Sequence, residues 1–265
     1  MIRLICCDVD GTLIGQSGMP PPGIWAAAAE ARARGVRVAL CSGRPAFGET
    51  LDFARQLDDT GWHVFQNGAS VLHLATMASR SAPLPPEVVV ALVRRARDAG
   101  VILELYGDDR YVVESEDARA RLHAEVLGVE YVRGSLDAPP HPVVRGQWLL
   151  DMASASQELS RPEPGVEFTP STSPIMPDTL FVSLLPPHVS KLAGVRQIAA
   201  AYGVALADVM FVGDGGNDAS AMGAVGWPVA MGNAEPGIRA IARHVVGHVD
   251  HAGLLEAFEL ARTIP

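Results

Sequence analysis

Two carboxylates one residue apart, Asp8 and Asp10, stand near the amino terminus in the stretch Cys7-Asp8-Val9-Asp10-Gly11-Thr12-Leu13. They follow the apolar run Leu4-Ile5-Cys6 and precede Gly-Thr, a place that ordinary packing does not explain. A carboxylate left in a dry place needs a metal or a cation as partner. If a strand ends at Asp8 and the chain turns at Gly11, both side chains can converge on one ion. One could then attack a substrate while the other handles a proton. Taken alone, the same residues fit an exposed polar turn after an edge strand equally well. What separates the two readings is whether later segments supply a phosphate cradle, a cation and more metal ligands.

Three later segments supply them. Ser42-Gly43-Arg44-Pro45 follows an apolar run, and proline suits a first helical position. Helix amino termini offer free N–H groups and a partial positive charge, so Ser42 stands where a phosphate can be held by its hydroxyl and nearby amides. A helix-capping serine without a ligand is the alternative. Lys191 opens a later helical stretch, and the run from Val209 stops at Gly213-Asp214-Gly215-Gly216-Asn217-Asp218.

The elements that must position these residues read as strands alternating with helices. Apolar runs at 2–7 and 36–41 flank an alanine-rich helix at 23–34 that ends at Gly35, a strand–helix–strand unit that implies a parallel pair. A helix at 47–57, a strand at 63–65 and an Asn67-Gly68 turn into a strand at 71–74 follow. Proline punctuation at 83–86 marks a change of pattern. Beyond it come helices at 87–99 and 116–127 and strands at 101–106, 111–113, 143–152, 166–169 and 180–185, with proline-rich loops at 137–142 and 162–177. Strands in pairs with helices between them imply an α+β insert with a mostly antiparallel sheet. After Pro186-Pro187 the parallel pattern resumes: helix 191–202, strand 209–213, helix 219–224, strand 228–231, then helical stretches at 234–243 and 251–262 around a short strand at 245–246. The expected fold is α/β, a doubly wound, Rossmann-like parallel-sheet core with an inserted α+β cap domain. The core takes 1–82 and 187–265, and the cap 83–186. In such a sheet ligands bind outside the carboxyl ends of the strands, and Asp8, Ser42, Lys191 and Asp214 can all reach that one edge.

Composition narrows the function classes. With 265 residues there is room for two domains and a sizeable core. The 21 basic against 30 acidic residues give a net charge of -9, so no general positive field exists to hold nucleic acid or an anionic membrane surface. Cys6, Cys7 and Cys41 are an odd set within apolar runs, which reads as buried thiols in a reducing cytoplasm. The chain begins without a signal-peptide layout and lacks an apolar stretch near the ~20 residues that span a bilayer.

In order, Asp8-Val9-Asp10-Gly11-Thr12, Ser42-Gly43-Arg44-Pro45, Lys191 and Gly213-Asp214-Gly215-Gly216-Asn217-Asp218 resemble the four motifs of the haloacid dehalogenase (HAD) superfamily of phosphatases. Asn67-Gly68-Ala69 and Ala230-Met231-Gly232-Asn233-Ala234 resemble its Cof-type branch, which carries a large α/β cap between the second and third motifs. One departure is Leu192-Ala193-Gly194 after Lys191, where Lys-Gly is more usual. The resemblance implies a Mg²⁺-dependent phosphatase of a small phosphorylated metabolite, such as a sugar phosphate. Asp8 would be nucleophile and metal ligand. Asp10 would protonate the leaving alcohol and then activate water, its main-chain carbonyl binding the metal; burial and like charge would raise its pKa for this. Thr12, Ser42, Asn217 and the amides of Val9 and Gly43 would bind the phosphoryl oxygens, and Lys191 would offset their charge. Asp214 and Asp218 would complete the metal set, with Asn217 and Asp218 also orienting water or Lys191. The cap would open and close through hinges at 83–86 and 186–187.

Other readings are weaker. Gly213-x-Gly215 lacks the third glycine of a dinucleotide fingerprint, which Asp218 replaces. No phosphate loop of the Gly-Lys-Ser/Thr kind occurs, and Asp8-x-Asp10-Gly11 lacks the spacing and closing Glu of a calcium loop. His244, His248 and His251 have no second cluster beside them and read as surface or capping histidines. A phosphomutase on the same fold and a non-catalytic phosphate-binding regulator are the remaining alternatives. The assembly expected is a monomer or weak homo-oligomer.

Overall fold

The computed structural model describes residues 1–153, 155–173 and 175–264. Positions 154, 174 and 265, which include one position of the expected loop and the last of the expected core, lie outside the described residues. In chain order the first elements are β1 (Leu4–Cys7), α1 (Ile24–Ala33), β2 (Arg37–Leu40), α2 (Glu49–Asp58), β3 (Trp62–Phe65), β4 (Ser70–His73) and β5 (Ala78–Ser79). Next come α3 (Pro86–Ala99), β6 (Ile102–Tyr106), β7 (Tyr111–Val113), α4 (Ala118–Leu127), β8 (Arg145–Asp151), α5 (Ala155–Leu159), β9 (Glu167–Ser173) and β10 (Met176–Leu185). The chain finishes with α6 (Lys191–Ala201), β11 (Val209–Gly213), α7 (Ala219–Met222), β12 (Trp227–Ala230), α8 (Pro236–Ile241), β13 (His244–Val245) and α9 (Gly253–Thr263). No helix among the described residues is long and apolar enough to cross a membrane.

Contacts divide the chain into two compact units. One comprises Met1–Arg44, Asp52–Arg80 and Ser190–Pro265; the other comprises Pro45–Leu51 and Ser81–Val189. The segment 45–51, assigned to the core from sequence, groups with the second unit because Phe47 stacks on Tyr106 and Tyr111 and the Glu49 amide donates to the Gly128 carbonyl.

In the first unit a parallel sheet runs in the order β13-β12-β11-β1-β2. β1 is buried along its whole length, as its unbroken apolar sequence requires of a strand covered on both faces. Leu4 lies opposite Val209 and Arg37, and Cys7 opposite Val212 and Leu40. One residue further along, Asp8, Gly213 and Cys41 come level at the carboxyl end. A parallel bridge from Cys41 to Val64 carries the order on to β3, which pairs antiparallel with β4. The core between this sheet and α6 and α7 includes Leu4, Cys6, Val195, Ile198, Phe211 and Met222.

The second unit is an antiparallel sheet in the order β7-β6-β8-β10-β9 with α3, α4 and α5. The fold class is therefore the expected parallel α/β core with an inserted α+β region. Two local expectations are corrected, and one unexpected element is added. The helix expected from 47 starts at Glu49, so Ser42 lies in a turn and not at a helix terminus. Most of the loop expected at 162–177 is strand: β9 runs along the edge of the sheet with Pro170 opposite Val182, and an edge strand is where proline, which has no N–H to give to a ladder, is tolerated. The five-residue helix α5 was too short to leave a periodic signal.

Candidate active site

Asp8 follows the last residue of β1 and is buried, with only 5% of its surface exposed. Lys191, the first residue of α6, is 1% exposed and places Nζ 2.7 Å from Asp8 Oδ1 and 2.7 Å from Asp218 Oδ1. Ser190 starts that helix by accepting the Ala193 amide on its hydroxyl, so the missing Lys-Gly start does not disturb it. Two of the three ammonium hydrogens are thus engaged, and one remains for a ligand.

Asp218 is fully buried and its second oxygen, Oδ2, accepts the amides of Asp214 (3.0 Å) and Gly215 (3.1 Å). Both of its oxygens are therefore committed to shaping the 214–218 turn and holding Lys191. Asp214 accepts the Thr12 hydroxyl at 3.1 Å and faces Asn233 Nδ2 at 3.4 Å. Asn233 Nδ2 also donates to the Gly11 carbonyl at 2.7 Å, and its Oδ1 accepts the Val249 amide. Gly11 has φ +77°, and a Cβ there would stand 2.1 Å from Asp214 Oδ2, so the turn after Asp10 needs glycine for conformation and for space.

Asp8, Asp214 and Asp218 each place a carboxylate oxygen within 4.8 Å of the others. Three carboxylates around one ammonium leave an excess of negative charge in a poorly hydrated place. Burial and the nearby Asp218 push the Asp214 carboxyl up to about 7, and the same two causes raise that of Asp8 well above the carboxylate range despite Lys191. Burial opposes the charge on Lys191, but Asp218 and Asp8 outweigh it and hold the ammonium above its ordinary value. A set of hard oxygen donors with unrelieved negative charge fits a divalent cation of the Mg²⁺ type.

Asp10 has a different environment from the one expected. Its carboxylate is 59% exposed and is gripped by Arg44, whose side chain is only 9% exposed. The expected burial among like charges is absent, because the chain turns outward after Val9, whose carbonyl accepts the amides of residues 12, 13 and 14. Ser42 is fully buried beside the end of β1, since the Cys41 amide donates to the Cys7 carbonyl. Its Oγ accepts the Arg44 amide at 3.0 Å, which leaves the hydroxyl hydrogen to donate. Gly43 is next, with Asn67 packed against it, and Asn217 Nδ2 donates to Asn67 Oδ1 at 3.1 Å. The Val9 side chain is fully buried, as is that of Thr12.

The structure thus joins Asp8, Thr12, Lys191, Asp214 and Asp218 through direct contacts, and sets Ser42, Gly43 and Asn217 around the same strand ends. Sequence reasoning assigned no role to Arg44, Asn67 or Asn233. Each stood inside a quoted motif, but nothing in the spacing shows that Arg44 folds back onto Asp10 or that Asn233 reaches a carbonyl 222 positions earlier. The histidines at 244, 248 and 251 stay apart from the site: His244 stacks on Trp227, and His248 caps a short turn by accepting the Asp250 amide.

A parallel α/β core that gathers buried carboxylates and a lysine at its strand ends, interrupted by an α+β unit, defines a class of enzyme cores. The chain belongs to the haloacid dehalogenase-like hydrolases, whose family model matches residues 5–258. It is similar to YxeH of Bacillus subtilis (strain 168), at 25% identity over 95% of this chain and 98% of that protein. It is equally similar to HMP-PP phosphatase of Cronobacter sakazakii (strain ATCC BAA-894), 25% identical over 94% and 91% of the two chains. A crystal structure of a haloacid dehalogenase-like hydrolase from Bacteroides thetaiotaomicron shares the fold with a TM-score of 0.86, at 24% identity and 98% and 99% coverage. A sugar phosphatase of HAD subclass IIB does so with a TM-score of 0.82, at 23% identity over 99% and 100%.

Proposed function

We propose that this hydrolase is a Mg²⁺-dependent phosphatase that cleaves phosphate monoesters of small metabolites through an aspartyl-phosphate. The observation that carries the reading is the buried Asp8–Lys191 pair beside Asp214 at the ends of adjacent parallel strands. Asp8, Asp214 and the main-chain carbonyl of Asp10 would hold Mg²⁺, with Asp218 bracing them, and the bound cation would reduce the repulsion between a carboxylate and a phosphate dianion. In the first step an Asp8 oxygen bonds to phosphorus as the P–O bond to the leaving group breaks, and Asp10 gives that oxygen a proton. In the second, Asp10 takes a proton from water, whose oxygen attacks phosphorus and frees Asp8 and inorganic phosphate. Lys191 keeps one N–H for a phosphoryl oxygen, and Ser42 Oγ, Asn217 and the amides of Val9 and Gly43 supply others. Thr12, expected from sequence to contact the phosphoryl group, would instead brace Asp214, to which its hydroxyl donates.

Sugar phosphates are the first substrate class to test, because a neighbour of the same fold is named a sugar phosphatase. Three buried free thiols favour a reducing, cytoplasmic setting. A phosphomutase would use the same first step and then pass the phosphoryl group to a second hydroxyl. The deciding experiment is a screen of phosphorylated metabolites with inorganic phosphate as readout. Release that depends on Mg²⁺ and on Asp8 supports the phosphatase, isomerisation without release would favour the mutase, and neither activity would leave a phosphate-binding protein.

A further inference from the structure

Three consecutive residues between β3 and β4 adopt left-handed backbone conformations: Gln66 (φ 52°), Asn67 (φ 55°) and Gly68 (φ 97°). Two of them bear side chains, for which this region costs on the order of 1–2 kcal/mol per residue. All three are buried. A hairpin turn accounts for positive φ at Asn67 and Gly68. It does not account for what the turn touches.

The Gln66 and Asn67 amides donate to the carbonyls of Arg44 and Ser42, each at 2.9 Å, so the turn grips the backbone on both sides of Gly43. The Asn67 side chain lies against Gly43 itself, where a Cβ would meet Oδ1 at 3.2 Å and Nδ2 at 3.3 Å. Asn67 Oδ1 then accepts Asn217 Nδ2 across 150 positions of sequence. From the third side, Gly68 lets the Ser190 carbonyl come so close that a Cβ would fall 2.1 Å from it, next to Lys191. One turn thus meets the three segments that bear Gly43, Asn217 and Lys191.

We infer that Asn67 is a positioning residue for the phosphoryl group, acting through Asn217 and Gly43. This inference rests on the phosphatase reading above. With Oδ1 taken by Asn217, the Asn67 amide fixes the direction of the Asn217 side chain, while its body and backbone fix the Gly43 loop. Strain is retained at a buried turn where it sets the relation between groups that no single element carries.

The test uses the full chain, an aryl phosphate as substrate and inorganic phosphate as competing ligand. Asn67→Gly removes the amide and keeps the left-handed turn, so it serves where Asn67→Ala would fail to fold. The expected result is a rise of about tenfold in the phosphate inhibition constant and at least that loss in kcat/KM, the size of one hydrogen bond to a charged ligand. Asn217→Ala is expected to match it, and the double variant to be no worse than the poorer single one, since both remove one coupled unit. An unchanged inhibition constant in Asn67→Gly, or losses that simply multiply in the double variant, would overturn the role of Asn67 while wild-type turnover stood. A wild-type protein that neither turned over the aryl phosphate nor bound phosphate would overturn this inference together with the reading beneath it.

Discussion

The guanidinium of Arg44 lies across the carboxylate of Asp10, with Nη2 2.7 Å from Oδ1 and Nε 3.1 and 3.0 Å from the two oxygens. The buried partner fixes the exposed one: Arg44 is anchored in the turn after β2, and Asp10 takes its direction from that fork. If Asp10 carries protons, Arg44→Ala should lower kcat by about tenfold or more, since general acid–base catalysis contributes ~10²–10⁴ and depends on placement. Arg44→Lys keeps the charge but loses the fork, and should recover only part. Steady-state kinetics with an aryl phosphate checks this, and wild-type kcat in Arg44→Ala would sink the idea.

Asp8→Asn is expected to abolish turnover with the fold retained, because the neutral amide cannot attack phosphorus. Asp10→Asn should still accept a phosphoryl group from an activated leaving group and then hydrolyse it slowly, so that phospho-enzyme accumulates. Acid-quenched mass spectrometry reads the added phosphoryl mass. Turnover by Asp8→Asn at the wild-type rate would remove Asp8 as nucleophile.

Mg²⁺ should raise the melting temperature by relieving the charge shared by Asp8, Asp214 and Asp218. A ligand at 100 times its dissociation constant adds about 2.7 kcal/mol of stability. Chelation should reverse the shift and stop turnover, and Asp214→Asn should lose most of both. A melting point indifferent to millimolar Mg²⁺ would count against a metal at these residues.

Gly11→Ala should cost both stability and cation binding, since the new methyl group needs the space of Asp214 Oδ2 at a backbone φ of +77°. Strain of ~1–2 kcal/mol translates into a melting point lower by roughly 2–8 °C for a chain of this size. The Mg²⁺-induced shift should shrink as well. A variant with the wild-type melting point and Mg²⁺ response would mean that Asp214 yields without consequence.

Acid sensitivity should be traceable to His63. This residue is fully buried in β3; its Nδ1 accepts the Leu40 amide at 3.0 Å, which leaves Nε2 as the donor to the Asp58 carbonyl at 2.7 Å. Burial lowers its pKa from 6.5 to about 4, a cost that the Asp58 carbonyl only partly offsets. The unfolded chain therefore binds the additional proton first. Stability from this group is complete above about pH 6.5 and declines as the pH falls from there towards 4, by on the order of 3 kcal/mol. Urea unfolding at pH 7.5 and 4.5 measures the decline, and His63→Asn should show a smaller one. Equal pH slopes in the two proteins would dismiss His63 as the source.

Much of the architecture was legible because its strands are short apolar runs ending at chemically conspicuous residues. β1, β2 and β11 each stop within one or two positions of a residue named from sequence, namely Asp8, Ser42 and Asp214. Period and punctuation carry that information locally. The missing parts depend on tertiary contacts. The late start of α2 follows from a turn in which Ser42 accepts the Arg44 amide, a geometry that the Pro45 signal did not distinguish from a helix start. β9 was cut short at its proline because nothing in the residues themselves says which strand is at the edge. Charge pairing across long separations was equally hidden: Asp10 was expected among carboxylates and is held by an arginine instead.

The register of β1 has a consequence for biosynthesis. Leu4 to Cys7 are flanked by β2 within some thirty residues, but their other neighbour, β11, begins at Val209. At ~5–20 residues per second the ribosome needs roughly 10–40 s between the two strands. During that interval one side of the most apolar strand is unpaired, and the nascent chain presents a sticky seam that chaperones or neighbouring chains can reach. Asp214 follows β11 directly, so closure of that seam and completion of the acidic centre are the same event, and solubility of the nascent chain and its competence for turnover should appear together.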